Sequence, residues 1–163
     1  MGGEPRDLSG LLTDSLDMLA DAGVYGLSLY VVGRTPAHKL RATWVSGFLQ
    51  AALAVGALVE VGRRAIWGSE PQPEGMMALA LVALVVNAAC LALVYRHRNG
   101  EVHMKASYIF SANDVLANLG VVVAGALVAV TGSHVPDLIV GLGIGGLVLS
   151  GAFRILRLAK PAS

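Results

Sequence analysis

Long uncharged stretches alternate with short polar segments along this chain. Four stretches contain no Asp, Glu, Lys or Arg: residues 42–59, 75–95, 115–136 and 138–153. About 20 apolar residues are needed to cross a bilayer, and a further apolar segment near the start carries Asp14, Asp17 and Asp21. The pattern predicts an all-α, polytopic membrane bundle of about five transmembrane helices, forming one transmembrane domain over residues 1–163. The approximate spans are 8–33, 42–62, 76–95, 106–131 and 137–157.

Composition supports a membrane location. The chain is 55% hydrophobic and 14% charged, whereas a soluble domain has about 25% charged residues. A soluble domain of 163 residues could not hide so much apolar surface in a single core. The net charge of +1, with basic residues dispersed rather than gathered into a stripe, excludes nucleic acid as an expected partner and leaves membrane lipid.

The basic residues between the spans predict the topology. Nine lie in the first loop, the third loop and the C-terminal end: Arg34, Lys39, Arg41, Arg96, Arg98, Lys105, Arg154, Arg157 and Lys160. The second loop has only Arg63 and Arg64. Because cytoplasmic loops are enriched in Lys and Arg, we expect the C-terminus to be cytoplasmic, in a bacterial inner (plasma) membrane.

Three aspartates in the first predicted helix form one acidic stripe. At about 100° per residue, Asp14, Asp17 and Asp21 fall within an arc of about 60°. An aspartate at mid-membrane costs about 2.5–3.5 kcal/mol, so this stripe must face something polar. One interpretation is that Asp14 caps the helix at the outer interface while the other two line a wet crevice. The other is a cation site, since carboxylates at i and i+4 can reach one divalent ion.

A second polar stripe lies in the fourth predicted helix. Asp114 and Asn118 are also spaced i and i+4, and Asn113 adjoins Asp114. Oxygen ligands from two helices would converge if the stripes meet, although interhelical hydrogen bonding explains the asparagines equally well. No nucleophile arrangement is apparent, so we expect neither an enzyme nor a prosthetic group. Cys90 is interpreted as a small packing residue.

The run from Leu11 to Asp21 resembles the cation diffusion facilitator (cation efflux) family. That family carries Asp/His-x-x-x-Asp on its second membrane helix, which Asp17 and Asp21 match. The run from Asp114 to Val121 resembles its fifth helix, and Pro136-Asp137 with the glycine-rich span resembles its sixth. Relative to the family, we expect the chain to lack the first helix and the cytoplasmic C-terminal domain. Phe110 stands where the family usually offers His or Asp.

The resemblance implies a transporter that exports divalent metal ions in exchange for protons, usually as a homodimer. The ions are Zn, Mn, Fe or Co, carried as substrate. By this hypothesis the metal ligands are Asp17, Asp21 and Asp114 with Asn118 or Asn113, and Asp14 attracts cations at the outer mouth. An all-oxygen site would suit Mn²⁺ or Fe²⁺. Two alternatives remain: a non-transporting membrane subunit that packs against a partner, and a proton-coupled carrier of organic cations.

Overall fold

The described residues of the chain form five helices. The computed structural model describes the backbone of residues 5–68 and 73–160, and the side chains of residues 18–68 and 77–160. The helices are α1 (Pro5–Tyr30), α2 (Pro36–Trp67), α3 (Pro73–Tyr95), α4 (Val102–Thr131) and α5 (Val135–Leu158). No strand occurs in the described residues. These helices confirm the predicted all-α fold.

Proline and glycine set several helix ends. Pro36 opens α2 and Pro136 lies in the first turn of α5, where the missing proline N–H costs no helical hydrogen bond. α4 ends at Gly132, which has a φ of 64° and donates its backbone N–H to the Val128 carbonyl at 2.8 Å. This left-handed cap favours glycine. The short connection that follows makes α5 turn back along α4.

Helix α4 lies at the centre of the bundle. It packs against α3 and α5, α5 packs in turn against α2, and α1 makes fewer contacts, with α2 and α4. Phe110 of α4 is fully buried and forms the core with Val24, Ala106 and Ile155. The side chains at the centre of the bundle therefore come from α1, α4 and α5.

Glycines allow α5 to approach its neighbours closely. A Cβ atom at Gly141 would lie 2.7 Å from the Val61 side chain of α2. A Cβ atom at Gly145 would collide with Leu58 of α2, and one at Gly120 of α4 would lie 2.7 Å from Ile144. Small residues bring membrane helices together in this way. Gly141 and Gly145 of the glycine-rich last span thus pack within the chain, against α2.

Four of the described helices are long and apolar enough to cross a bilayer: Pro36–Trp67, Met77–Tyr95, Val102–Thr131 and Val135–Leu158. Their outward faces carry large exposed apolar side chains, such as Ile66, Val85 and Val130. In lipid these side chains meet hydrocarbon rather than water. A fifth crossing by α1 stays a prediction.

Candidate cation site

Two of the predicted acidic residues meet in the bundle. Asp21 of α1 lies within hydrogen-bonding range of the Asp114 side chain of α4 and of Asn87 on α3. Both carboxylates are half-buried. Two adjacent negative charges in a low-dielectric setting require a compensating cation or proton. The structure thus brings a residue of each polar stripe into contact.

Asn87 was not among the predicted ligands. It is the one strongly polar side chain between Met77 and Val94 of α3, and it is only 5% exposed. Its amide adds a neutral oxygen and two N–H donors beside Asp21. The signal was present in the sequence, since an isolated amide inside an apolar membrane helix needs a polar neighbour. Hydropathy could not identify that neighbour as Asp21.

A cavity of about 160 Å³ adjoins Asp21, between α1 and α3. Its lining combines polar and apolar side chains: Met18, Asp21, Ala22, Tyr25, Ala83, Val86, Asn87 and Cys90. A space of this size holds several waters. Cys90, expected to be a simple packing residue, therefore lines the same cavity as Asp21 and Asn87. A cation that gives up part of its hydration shell would therefore meet oxygen atoms, and have room for the waters that it keeps, on one side of Asp21.

Buried hydroxyl groups extend the polar region around Asp21 along α1 and α4. Tyr25, one turn beyond Asp21 on α1, lies beside Ser111 of α4. Ser111 is fully buried, and its hydroxyl donates to the backbone carbonyl oxygen of Asn87 at 3.4 Å. Ser28 and Ser107 form a hydrogen bond between α1 and α4. The interface of α1 with α4 is therefore polar for about two helical turns.

The other predicted site residues lie elsewhere or outside the described side chains. Asn113 is 6% exposed and faces α5, because a Cβ atom at Gly151 would overlap its amide. Asn118 is half-buried one turn beyond Asp114. The side chains of Asp14 and Asp17 lie outside the described residues. Asn113 is thus held against a different helix from the one that carries Asp21.

The described side chains do not form a conventional metal cluster. Among them, no three His, Cys, Asp or Glu residues come together. Phe110, at the position where the family resemblance leads us to expect a ligand, fills the core and is fully buried. A metal bound by Asp21 and Asp114 would therefore need amide, hydroxyl or water oxygens, or a carboxylate from outside the described side chains.

A separate ionic cluster joins α2 to α5. Glu60 accepts hydrogen bonds from Arg63 at 2.7 Å and Arg64 at 2.9 Å, and Arg64 also contacts Asp137 at 3.1 Å. Two carboxylates and two guanidinium groups compensate one another here. This cluster holds the end of α2 to the start of α5, and its charges are already paired.

The fold and the site define a class of protein: an integral membrane bundle of apolar helices with a carboxylate pair and an amide held between them. The family model described as the cation efflux transmembrane domain matches residues 7–160. The chain therefore belongs to the cation efflux family.

The names of several relatives of the chain describe metal transporters. The metal cation efflux system protein CzcD of Cupriavidus metallidurans is 25% identical over 170 residues, covering 96% of this chain and 54% of CzcD. The zinc transporter ZitB of Escherichia coli is 29% identical over 175 residues, covering 92% of this chain and 54% of ZitB. The chain thus spans about half the length of these relatives.

Proposed function

We propose that this chain binds a divalent metal ion between Asp21 and Asp114 and exports it from the cytoplasm in exchange for protons. The contact between these two carboxylates carries the proposal. Two carboxylates neutralise the charge of one divalent ion, which lowers the cost of holding it within the membrane. Asn87 supplies a neutral oxygen, and Asp17 and Asn118 are the further candidates from the two helices. Asn113 is left out because it faces α5.

Proton coupling follows from the ligands. A carboxylate must lose its proton to bind a metal ion, so metal and protons compete for the same oxygens. Protonation from outside would release the ion, and loss of those protons to the cytoplasm would restore the site. Metal affinity should consequently fall as the pH falls.

Two arguments bear on the choice of ion. The names of the ZitB relatives favour Zn²⁺. The donor atoms around Asp21 are mainly oxygens, which suit harder ions such as Mn²⁺ and Fe²⁺. Zn²⁺, Mn²⁺, Fe²⁺ and Co²⁺ should therefore be compared in one assay.

The orientation and the assembly also belong to the proposal. The excess of Lys and Arg in the first loop, the third loop and the C-terminal end favours a cytoplasmic location for these three segments. We propose a homodimer in the bacterial inner membrane, with the whole chain forming one transmembrane domain. Crosslinking in native membranes tests the dimer independently of transport.

A second function has an observation in its favour. Phe110 stands in place of an expected ligand and is fully buried in the core. A family member that had lost transport would show such a replacement. Such a chain would act as a membrane subunit that packs against a partner and would keep its acidic residues for contacts between helices. The transport assay separates this possibility from the first.

The test is ion uptake into proteoliposomes with an imposed pH gradient. The full chain is compared with Asp21→Asn/Asp114→Asn and with Asp137→Asn, a matched control whose carboxylate lies in the ionic cluster. Export predicts gradient-driven flux in the full chain and in the control, and none in the double variant. Absence of flux from folded protein for all four metals would support the subunit function. Flux of an organic cation alone would support the remaining alternative, a proton-coupled carrier of organic cations.

A further inference from the structure

Polar side chains of α1 and α4 form a regular series of pairs. The polar ladder, as we name it, consists of three pairs, one residue from each helix: Asp21 with Asp114, Tyr25 with Ser111, and Ser28 with Ser107. Residue numbers rise on α1 as they fall on α4, so the two helices run antiparallel. Successive members are three or four residues apart, which places them on one face of each helix.

The hydroxyl groups of the polar ladder are deeply buried. Ser107 and Ser111 are fully buried, and Ser28 is 4% exposed. Burying a hydroxyl in an apolar setting costs free energy unless it is hydrogen-bonded, and alanine would fill nearly the same volume. Ser28 and Ser107 bond to each other across α1 and α4, and Ser111 donates to the backbone carbonyl oxygen of Asn87 on α3. Such buried hydroxyls can hold membrane helices together, and a continuous row of them can also carry protons.

The polar ladder continues to His103, one turn before Ser107 on α4. His103 is 1% exposed, and neither ring nitrogen has a hydrogen-bond partner in the part of the chain that the structure describes. Its Nδ1 atom lies 3.7 Å from Oε2 of Glu101, which forms an ion pair with Lys39 of α2. The side chain of Glu101 is 55% exposed. His103 thus lies between the solvent-exposed end of the bundle at Glu101 and the pair formed by Ser28 and Ser107.

We propose that the polar ladder conducts protons between the His103 end of the bundle and the carboxylates of Asp21 and Asp114. This inference rests on the proposed function, to which it adds a proton route. At each step a hydroxyl oxygen accepts one proton and gives up its own to the next acceptor, so every group ends unchanged. One helical turn rises about 5.4 Å, and a water molecule or a side-chain rotation bridges successive pairs.

A purely structural role makes a different prediction. Hydrogen bonds between α1 and α4 could simply hold α1, which in the described part of the chain otherwise packs mainly against α2. In that case, loss of a hydroxyl would weaken folding and metal binding together. A proton route instead predicts slower proton movement with unchanged metal affinity, because Ser107 lies about two turns from Asp114.

The experiment follows proton release by the full chain in detergent after mixing with Zn²⁺ or Mn²⁺, using a pH indicator in stopped flow. Ser107→Val removes the hydroxyl, and Ser107→Thr is the matched control that keeps it. Equilibrium dialysis of the same metal gives the affinity of each variant. We expect Ser107→Val to release as many protons as wild type at a rate lower by at least about tenfold, with unchanged affinity. Ser107→Thr should release them at the wild-type rate.

Other outcomes separate the proton route from the proposed function. Equal release rates in wild type and Ser107→Val would overturn the proton route and leave the proposed function standing. Affinity lost together with release would also overturn it, in favour of the structural role. A wild-type chain that binds neither metal would overturn the proposed function and the proton route together. If Ser107→Val does not fold, Ser28→Ala with Ser28→Thr gives the same comparison on α1.

Discussion

The side chains of Asp21 and Asp114 lie within hydrogen-bonding range of each other although they belong to the first and fourth helices of the chain. Each lies inside a helix with many apolar residues, where an isolated aspartate is costly. Their proximity means that a single cation, or a shared proton, can compensate both. The stability of the chain should therefore respond to divalent ions through this pair.

Metal should raise the melting temperature of the folded chain in detergent. An ion at about 100 times its Kd stabilises a protein by about 2.7 kcal/mol, which corresponds to about 5–10 °C for a chain of this size. Asp21→Asn should lose this increase while folding as well as wild type without metal, because asparagine keeps the shape and removes the charge. Thermal unfolding of wild type and Asp21→Asn, with and without Zn²⁺ or Mn²⁺, checks this prediction. An undiminished metal shift in Asp21→Asn would contradict the site.

Gly151 should be intolerant of any side chain. A Cβ atom at this position would overlap the Asn113 amide, and an overpacked core costs about 1–3 kcal/mol. Gly151→Ala should therefore lower the free energy of unfolding, and Gly151→Ala/Asn113→Ala should recover most of it. Chemical denaturation of both variants provides the measurement.

The matched control for Gly151 is Gly143→Ala on the same helix. No described atom lies within 4 Å of a Cβ atom at Gly143, and alanine is the better helix former by about 0.5–1 kcal/mol. Gly143→Ala should consequently be neutral or stabilising. If both alanine variants behaved alike, the packing of Asn113 against α5 would be wrong.

Arg64 should matter more to stability than its neighbour Arg63. Arg64 contacts carboxylates on both α2 and α5, whereas the one carboxylate that Arg63 contacts among the described side chains is Glu60 on its own helix. Removing Arg64 leaves the partly buried Asp137 without this partner, which should cost about 1–3 kcal/mol. We expect Arg64→Ala to lower the melting temperature clearly and Arg63→Ala to change it little. Equal effects would mean that the contact between helices contributes nothing.

Acid should weaken the ion pair of Lys39 with Glu101. The Lys39 ammonium lowers the pKa of Glu101 below its ordinary value of 4.5. The pair therefore stabilises the folded chain above the pKa of the unfolded state, and this contribution disappears as the pH falls through the lower, folded pKa. The melting temperatures of wild type and Glu101→Gln should differ at neutral pH and converge in acid. A difference that persists at low pH would contradict this assignment.

The sequence was most informative about the helices. Uncharged runs predict where they lie, because a membrane helix must hold its backbone hydrogen bonds internally across a fixed thickness. Helical periodicity also placed Asp21 and Asp114 among the candidate ligands. What periodicity cannot supply is the rotation of one helix relative to another, since that depends on packing between helices.

That missing rotation explains the differences at the site. Asn113 and Asp114 are neighbours in sequence, but 100° of helical rotation turns the amide of Asn113 to Gly151 of α5. Asn87, which was not among the predicted ligands, and Cys90, interpreted as a small packing residue, line the cavity beside Asp21. Their proximity to Asp21 depends on how α3 packs against α4 and α1.

The most direct test of the account is the number of metal ions bound per chain at equilibrium, measured by dialysis and elemental analysis for Zn²⁺ and Mn²⁺. The full chain is compared with Asp21→Asn/Asp114→Asn and with the control Asp137→Asn. The account predicts one bound ion of at least one metal in wild type and control, and none in the double variant at the same concentration. Retention of that ion by the double variant, or no binding of either metal by folded wild type, would contradict a site on Asp21 and Asp114.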